Sequence, residues 1–142
     1  MKKLISYKGD NFLQEINEMK KVSKLKRDHL EWRELNFKQK SGFFPVFKEF
    51  KSHMGNLSPG AISLFLYLGL HSNNLTGESS HGIERMAKFF NKSTRTISSW
   101  LKELEKEGLI ERIQIKFNGP SHTFIKPYSD LIKQDLDDEL PF

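Results

Sequence analysis

From Ile83 to Lys106 the apolar residues recur at steps of three and four, break off for three residues, and then resume. Ile83, Met86, Ala87, Phe89 and Phe90 mark one short amphipathic helix, and Ile97, Trp100, Leu101 and Leu104 mark the next. Asn91-Lys92-Ser93 is the break, with Ser93 placed as the N-cap of the second helix. Glu107-Gly108 closes that helix, the glycine being available for a left-handed C-cap. Two helices held by so short a turn leave few ways to fold the rest of the chain around them.

The residues on either side narrow the choice. Upstream, Ser58 followed by Pro59 is a helix opening, a side-chain acceptor with Pro at the first helical position. The helix from Pro59 to about His71 is nearly all apolar (Ile62, Leu64, Phe65, Leu66, Tyr67, Leu68, Leu70) and is expected to be the buried core helix. Downstream, Ile113, Ile115 and Phe117 alternate with Arg112, Gln114 and Lys116, the period of a strand. Asn118-Gly119 is a hairpin turn signal, and Thr123-Phe124-Ile125 is the returning strand. A helix-turn-helix followed by a hairpin is a winged helix-turn-helix. The fold class is therefore mainly α with a small β wing.

The outer face of the second helix carries the chemistry. Arg95, Ser99, Lys102 and Lys106 follow at steps of four, three and four, a polar stripe away from the core. Thr94, Thr96 and Ser98 lie near the helix start, just after Lys92 and Ser93, and the first two turns hold no acid. An α-helix fits the major groove, where short hydroxyls and Arg reach base edges and phosphates. A helix N-terminus also favours phosphate through its free amides. Arg112, Lys116, Asn118 and His122 on the wing are placed to touch phosphate or the minor groove. The expected ligand is DNA, duplex before single-stranded.

These residues resemble the winged-helix domains of bacterial plasmid and phage replication proteins. The resemblance runs from Leu57 to Ile113. It includes Leu-Ser-Pro-Gly-Ala, Thr76-Gly77-Glu78, Ile83-Glu-Arg-Met-Ala87, Ser93-Thr-Arg-Thr-Ile97 and Leu104-Glu-Lys-Glu-Gly-Leu-Ile110. It implies that Ser93, Arg95 and Thr96 begin the DNA-reading helix. Ala87 to Asn91 reads Ala-x-x-Phe-Asn where such domains often have Ala-x-x-Leu-Gly. Transcription repressors share the pattern, so a dimeric regulator, or a protein-binding adaptor for a polymerase, primase or helicase, are the alternative readings.

Residues 1–41 form a highly charged arm. Phe12, Ile16, Met19, Val22 and Leu25 recur at helical steps, and a helix is expected from about Asn11 to Leu30. It packs either on its own domain or on a partner, a second copy in a homodimer included. Gly42 to Phe50 is rich in aromatic and β-branched residues and reads as a short edge strand or extended segment. With the helix-turn-helix it makes up the domain 42–127.

Residues 128–142 are an acidic tail, expected to be disordered. Charge separates these regions: residues 1–56 carry 13 basic and 7 acidic side chains, residues 57–127 carry 9 and 6, and residues 128–142 carry 1 and 5. A basic body suits a polyanionic partner. The end, Asp137-Asp138-Glu139-Leu140-Pro141-Phe142, resembles the C-terminal tip of bacterial single-stranded DNA-binding proteins and implies docking onto replication enzymes. There Phe142 fills an apolar pocket while the acids meet basic groups.

Enzyme chemistry finds little support. No Cys is present, which excludes thiolate zinc sites and a Cys nucleophile and fits a reducing cytoplasm. The five His show no metal-ligand spacing, and no phosphate-binding Gly-rich loop occurs. His81 reads as a cap or loop residue. No cofactor and no metal are expected. The longest apolar stretch, Ala61 to Leu70, is far too short for a membrane span, and no signal peptide opens the chain, so a cytoplasmic location is expected.

Overall fold

The computed structural model describes residues 2–39 and 42–128. Contacts divide the chain into two units, Met1–Phe43 and Phe44–Phe142. The first is one helix, α1, over Lys2–Lys38. It extends beyond the expected Asn11–Leu30 at both ends. Gly9 costs only about 1 kcal/mol against Ala in a helix, and no Pro intervenes before Gly42. Exposed pairs such as Lys24–Asp28 at 3.5 Å add a few tenths each. A seam in heptad register with Phe12, Ile16 and Met19 runs on through Ser23, Lys26, Leu30 and Arg33. Val22, Leu25, Trp32 and Leu35 leave that seam, so the apolar residues do not follow one continuous dimer stripe.

The segment from Gly42 to Phe47, which spans the boundary between the two units, forms no strand, contrary to one of the two expectations. It runs extended to Phe47 (φ −76°, ψ 151°), then closes into a 3-10 turn, Lys48–Phe50, and α2, Lys51–Met54. Pro45 has no N–H to pair, and Phe44 and Phe50 turn to the core while Phe43 and Phe47 stay exposed. Phe50 stacks on Phe65 at 4.6 Å between ring centroids, and Phe44 meets Phe65 edge-on at 5.8 Å.

Helix α3 covers Pro59–Leu70, with Ser58 Oγ accepting from the Ala61 N–H at 3.2 Å. Ala61, Leu64, Phe65, Tyr67, Leu68 and Gly69 are buried, whereas Leu66 and Leu70 face outward. Helix α4 (Ile83–Phe90) and helix α5 (Thr94–Lys106) complete the helical layer. Met86, Ala87, Ile97, Leu101 and Leu104 join the α3 residues in one core. Phe89, read as part of the apolar face of α4, is exposed.

Strands β2 (Ile110–Gln114) and β3 (Ser121–Ile125) form the wing hairpin. A two-residue strand β1, Glu78–Ser79, pairs antiparallel with β3, giving the sheet order β1-β3-β2. No strand signal marks that stretch in the sequence. The hairpin is also shorter than expected. Its strands stop at Gln114 and Ser121, and Ile115, Lys116 and Phe117 lie in the connecting loop. Tyr128, expected to open the tail, belongs to the fold: the Phe47 N–H donates to its hydroxyl at 2.8 Å, and its ring lies edge-on to Phe50 and Phe65. The tip Asp137–Phe142 and the rest of the acidic end lie outside the described residues. Among the described residues no helix is long and apolar enough to cross a membrane.

Gly60, in the first turn of α3, sits beneath the Trp100 indole, and a Cβ there would come within 2.1 Å of the ring. Ala normally gains about 1 kcal/mol over Gly in a helix. Forcing an indole out of a packed site costs about 1–3 kcal/mol, so the steric term wins. Gly60→Ala is expected to lower the midpoint of chemical denaturation. A variant more stable than the parent would show that the indole moves freely.

Candidate nucleic-acid interface

The turn between α4 and α5 is set by three backbone positions. Asn91 takes the left-handed conformation (φ 53°), which Asn tolerates better than most residues. This lets the Lys92 N–H reach the Ala87 carbonyl at 3.0 Å and the Asn91 N–H reach Lys88, satisfying the last carbonyls of α4. Ser93 then turns to extended backbone, and its Oγ accepts from the Thr96 N–H at 3.1 Å. The Ser93 and Thr96 hydroxyls also share a hydrogen bond at 3.0 Å. Both are thus engaged in capping, a role the sequence assigned to Ser93 alone.

Of the residues expected on α5, Lys92, Thr94, Arg95, Ser99, Lys102 and Lys106 are exposed, while Thr96 and Ser98 are half-buried on the flanks. Arg95, Ser99, Lys102 and Lys106 lie on the side opposite buried Ile97, Leu101 and Leu104. Eleven steps of 1.5 Å from Arg95 to Lys106 make this line about 16 Å long. Among the described residues none of its cations is within ion-pair distance of a carboxylate.

The acids of α5 are turned elsewhere. Glu103 accepts from the Ser58 N–H at 2.8 Å and from the Ser58 hydroxyl at 2.7 Å, which ties α5 to the start of α3. Glu107 lies 3.1 Å from His53 Nδ1 and accepts from Asn56 Nδ2 at 3.5 Å. Glu105 remains exposed, off the stripe. Gly108 closes α5 in the left-handed region (φ 73°), and its N–H bonds to the Glu105 carbonyl at 3.0 Å.

On the wing the expected residues separate. Arg112 pairs with Thr123 and donates from Nε to the Thr123 hydroxyl at 3.3 Å, on the same face as buried Ile110. His122 pairs with Ile113, so it lies on the opposite face, where Nδ1 is 2.6 Å from a Glu78 carboxylate oxygen. Arg112 and His122 therefore share no surface. Lys116 and Asn118 are exposed at the apex, and Asn118 is left-handed (φ 61°). The turn closes by the Gly119 N–H donating to the Lys116 carbonyl at 2.8 Å. The hairpin thus turns within a six-residue loop, 115–120, with Asn118 and Gly119 in its second half.

Sequence reasoning missed Arg85 and Lys88, both exposed on α4, the helix preceding the turn. Their spacing three apart was the available signal. Arg85 acts on its neighbours: burial first, then Arg85 and His71, hold the His81 imidazole below its ordinary range. Burial raises the Tyr67 hydroxyl, with Arg85 opposing. Tyr67 Oη and His81 Nδ1 are 2.7 Å apart, which ties α3 to the loop before α4. Among the described residues no cluster of three or more His, Asp or Glu is placed to hold a metal.

No curated protein sequence matches the chain. Two solved structures align with it. One is described as the N-terminal domain of a DNA-binding protein, at 18% identity, covering 76% of this chain and 95% of that one with a TM-score of 0.49. The other is described as the structure of a Rep–DNA complex, at 18% identity, covering 77% and 96% with a TM-score of 0.47. The family model of a helix-turn-helix domain matches residues 55–110, the span from the turn before α3 to the first residue of β2. The chain thus carries a helix-turn-helix domain with a wing built onto its end.

Proposed function

We propose that this chain holds duplex DNA through α5 and the wing, as a replication accessory or initiator-type protein of a plasmid, phage or other mobile element. The observation that carries the DNA reading is the unpaired line Arg95, Ser99, Lys102, Lys106, from which Glu103 and Glu107 are withdrawn into bonds with α3 and the α2 region. A straight row of cations and hydroxyls on one helix matches the width and charge of the major groove. Arg95 and the short hydroxyls near the N-terminal end reach bases or phosphate, and Lys102 and Lys106 meet the backbone. The replication role rests on the resemblance of residues 57–113 and on the acidic Leu140-Pro141-Phe142 end, which would recruit a replication enzyme.

A titration with duplex DNA at several salt concentrations tests the first part. Arg95→Ala/Lys102→Ala is expected to weaken binding at least about tenfold and to reduce the slope of log K against log salt by about 2, one contact each. Unchanged affinity and slope would remove α5 from the interface. Deleting Asp137–Phe142 is expected to leave DNA affinity intact and abolish binding to a purified primase, helicase or polymerase. A tailless chain that still binds the enzyme would refute the docking role.

A further inference from the structure

The wing apex holds a feature that the cation line does not use. Phe117 is 96% exposed at the tip of the hairpin and makes no ring contact among the described residues. Single exposed apolar residues are ordinary on protein surfaces. This one is presented by a built support. The Gly119 N–H closes the turn onto the Lys116 carbonyl at 2.8 Å, and Gln114 Nε2 donates to the Gly119 carbonyl at 2.9 Å. Asn118 supplies the left-handed position beside the ring. Gly119 fits closely, because a Cβ there would lie 3.0 Å from Lys116 Cβ and 3.1 Å from the Lys116 oxygen, so a larger residue would push Lys116 by a few tenths of an ångström. The backbone carrying Phe117 is thus fixed before any partner arrives, which lowers the cost of ordering it on binding.

The charge around the ring selects the partner. In the loop 115–120 that carries the ring there is no Asp or Glu, and Lys116 adjoins the ring. An acidic polymer with apolar flat faces fits this tip better than an apolar protein groove does. We propose that Phe117 is an aromatic wedge that stacks on a base of the nucleic acid beside the wing. It enters from the groove next to the one that α5 occupies and partly unstacks one base step. Lys116 anchors the adjacent phosphate. This inference rests on the reading that the chain holds DNA, and it adds a contact that distorts the duplex to one that only docks on it.

The test uses the full chain and an A·T-rich duplex carrying 2-aminopurine, whose fluorescence rises when its neighbours unstack. The parent chain is expected to raise the fluorescence. Phe117→Ala is expected to lose the rise and to bind at least about fivefold more weakly, the lower end of what stacking one base on an aromatic side chain contributes. Phe117→Trp is expected to keep both. Because the ring is 96% exposed, all three should share one thermal midpoint, so lost binding cannot be lost folding. If Phe117→Ala binds like the parent and neither changes the fluorescence, while Arg95→Ala/Lys102→Ala weakens binding, the wedge is overturned and the DNA reading stands. The exposed ring would then be assigned to a protein contact. If the parent chain does not bind the duplex at all, both are overturned.

Discussion

Phe65→Ala is expected to destabilise the winged-helix unit by about 3–5 kcal/mol, a large share of the roughly 5–15 kcal/mol that holds a domain of this size together. Phe65 is fully buried, and its ring is where three separate parts of the chain meet. Phe50 stacks on it from the segment before α3, Phe44 approaches edge-on, and Tyr128 closes from the end of the fold. Truncation removes the contact surface of all three, and rings attached to three backbone segments cannot all collapse into the space. Thermal unfolding followed by near-ultraviolet circular dichroism should show a midpoint lower by more than about 12 °C, at about 4–8 °C per kcal/mol for about 100 residues. Phe65→Leu, which keeps much of the volume, should lose about 1.5 kcal/mol or less. A Phe65→Ala variant within 1 kcal/mol of the parent, by the same scale, would show that these rings are held by something else.

Glu103→Ala should separate stability from binding. Its carboxylate accepts two hydrogen bonds from Ser58, one from the N–H and one from the hydroxyl, at the first turn of α3. Hydrogen bonds to a charged group contribute about 1.5–3 kcal/mol, and partial exposure places this pair toward the lower figure, at about 2 kcal/mol. Loss of the acid also removes a negative charge from the helix that bears Arg95 and Lys102. DNA affinity, measured at a temperature where the variant is folded, is expected to hold or rise while the unfolding free energy falls. Glu103→Gln keeps an acceptor for one of the two bonds and should lie between. A variant that loses affinity in step with stability would mean that Glu103 positions α5 rather than merely securing it.

What the sequence revealed and what it hid divide by the range of the interactions. Ser58 and Ser93 were legible as caps because a cap bonds to an amide three residues on. Ile97, Leu101 and Leu104 were legible because burial repeats with the helix period. The cation stripe followed from the same period. Strand β1 was not legible, since two residues carry no alternation and Glu78–Ser79 is a strand only because β3 lies beside it. The separation of Arg112 from His122 depends on a register that no turn residue announced. The bonds from Glu103 to Ser58 cross 45 residues and leave no mark in the local pattern. Phe117 was read as part of a strand because its alternation with Lys116 continues past the point where pairing ends.

Taken as a string, the stretch from Thr94 to the C-cap Glu107 is electrically neutral, with Arg95, Lys102 and Lys106 against Glu103, Glu105 and Glu107. Folded, two of those acids are held by internal donors and the three cations stand together, so the helix has a dipole across its axis. A polyanion approaching such a surface feels a torque as well as an attraction, and the torque turns the cation line toward it before contact. Neutral composition therefore coexists with a preferred angle of approach. The consequence is kinetic: ionic strength should act on how fast the two partners find their mutual orientation more than on how long they then stay together.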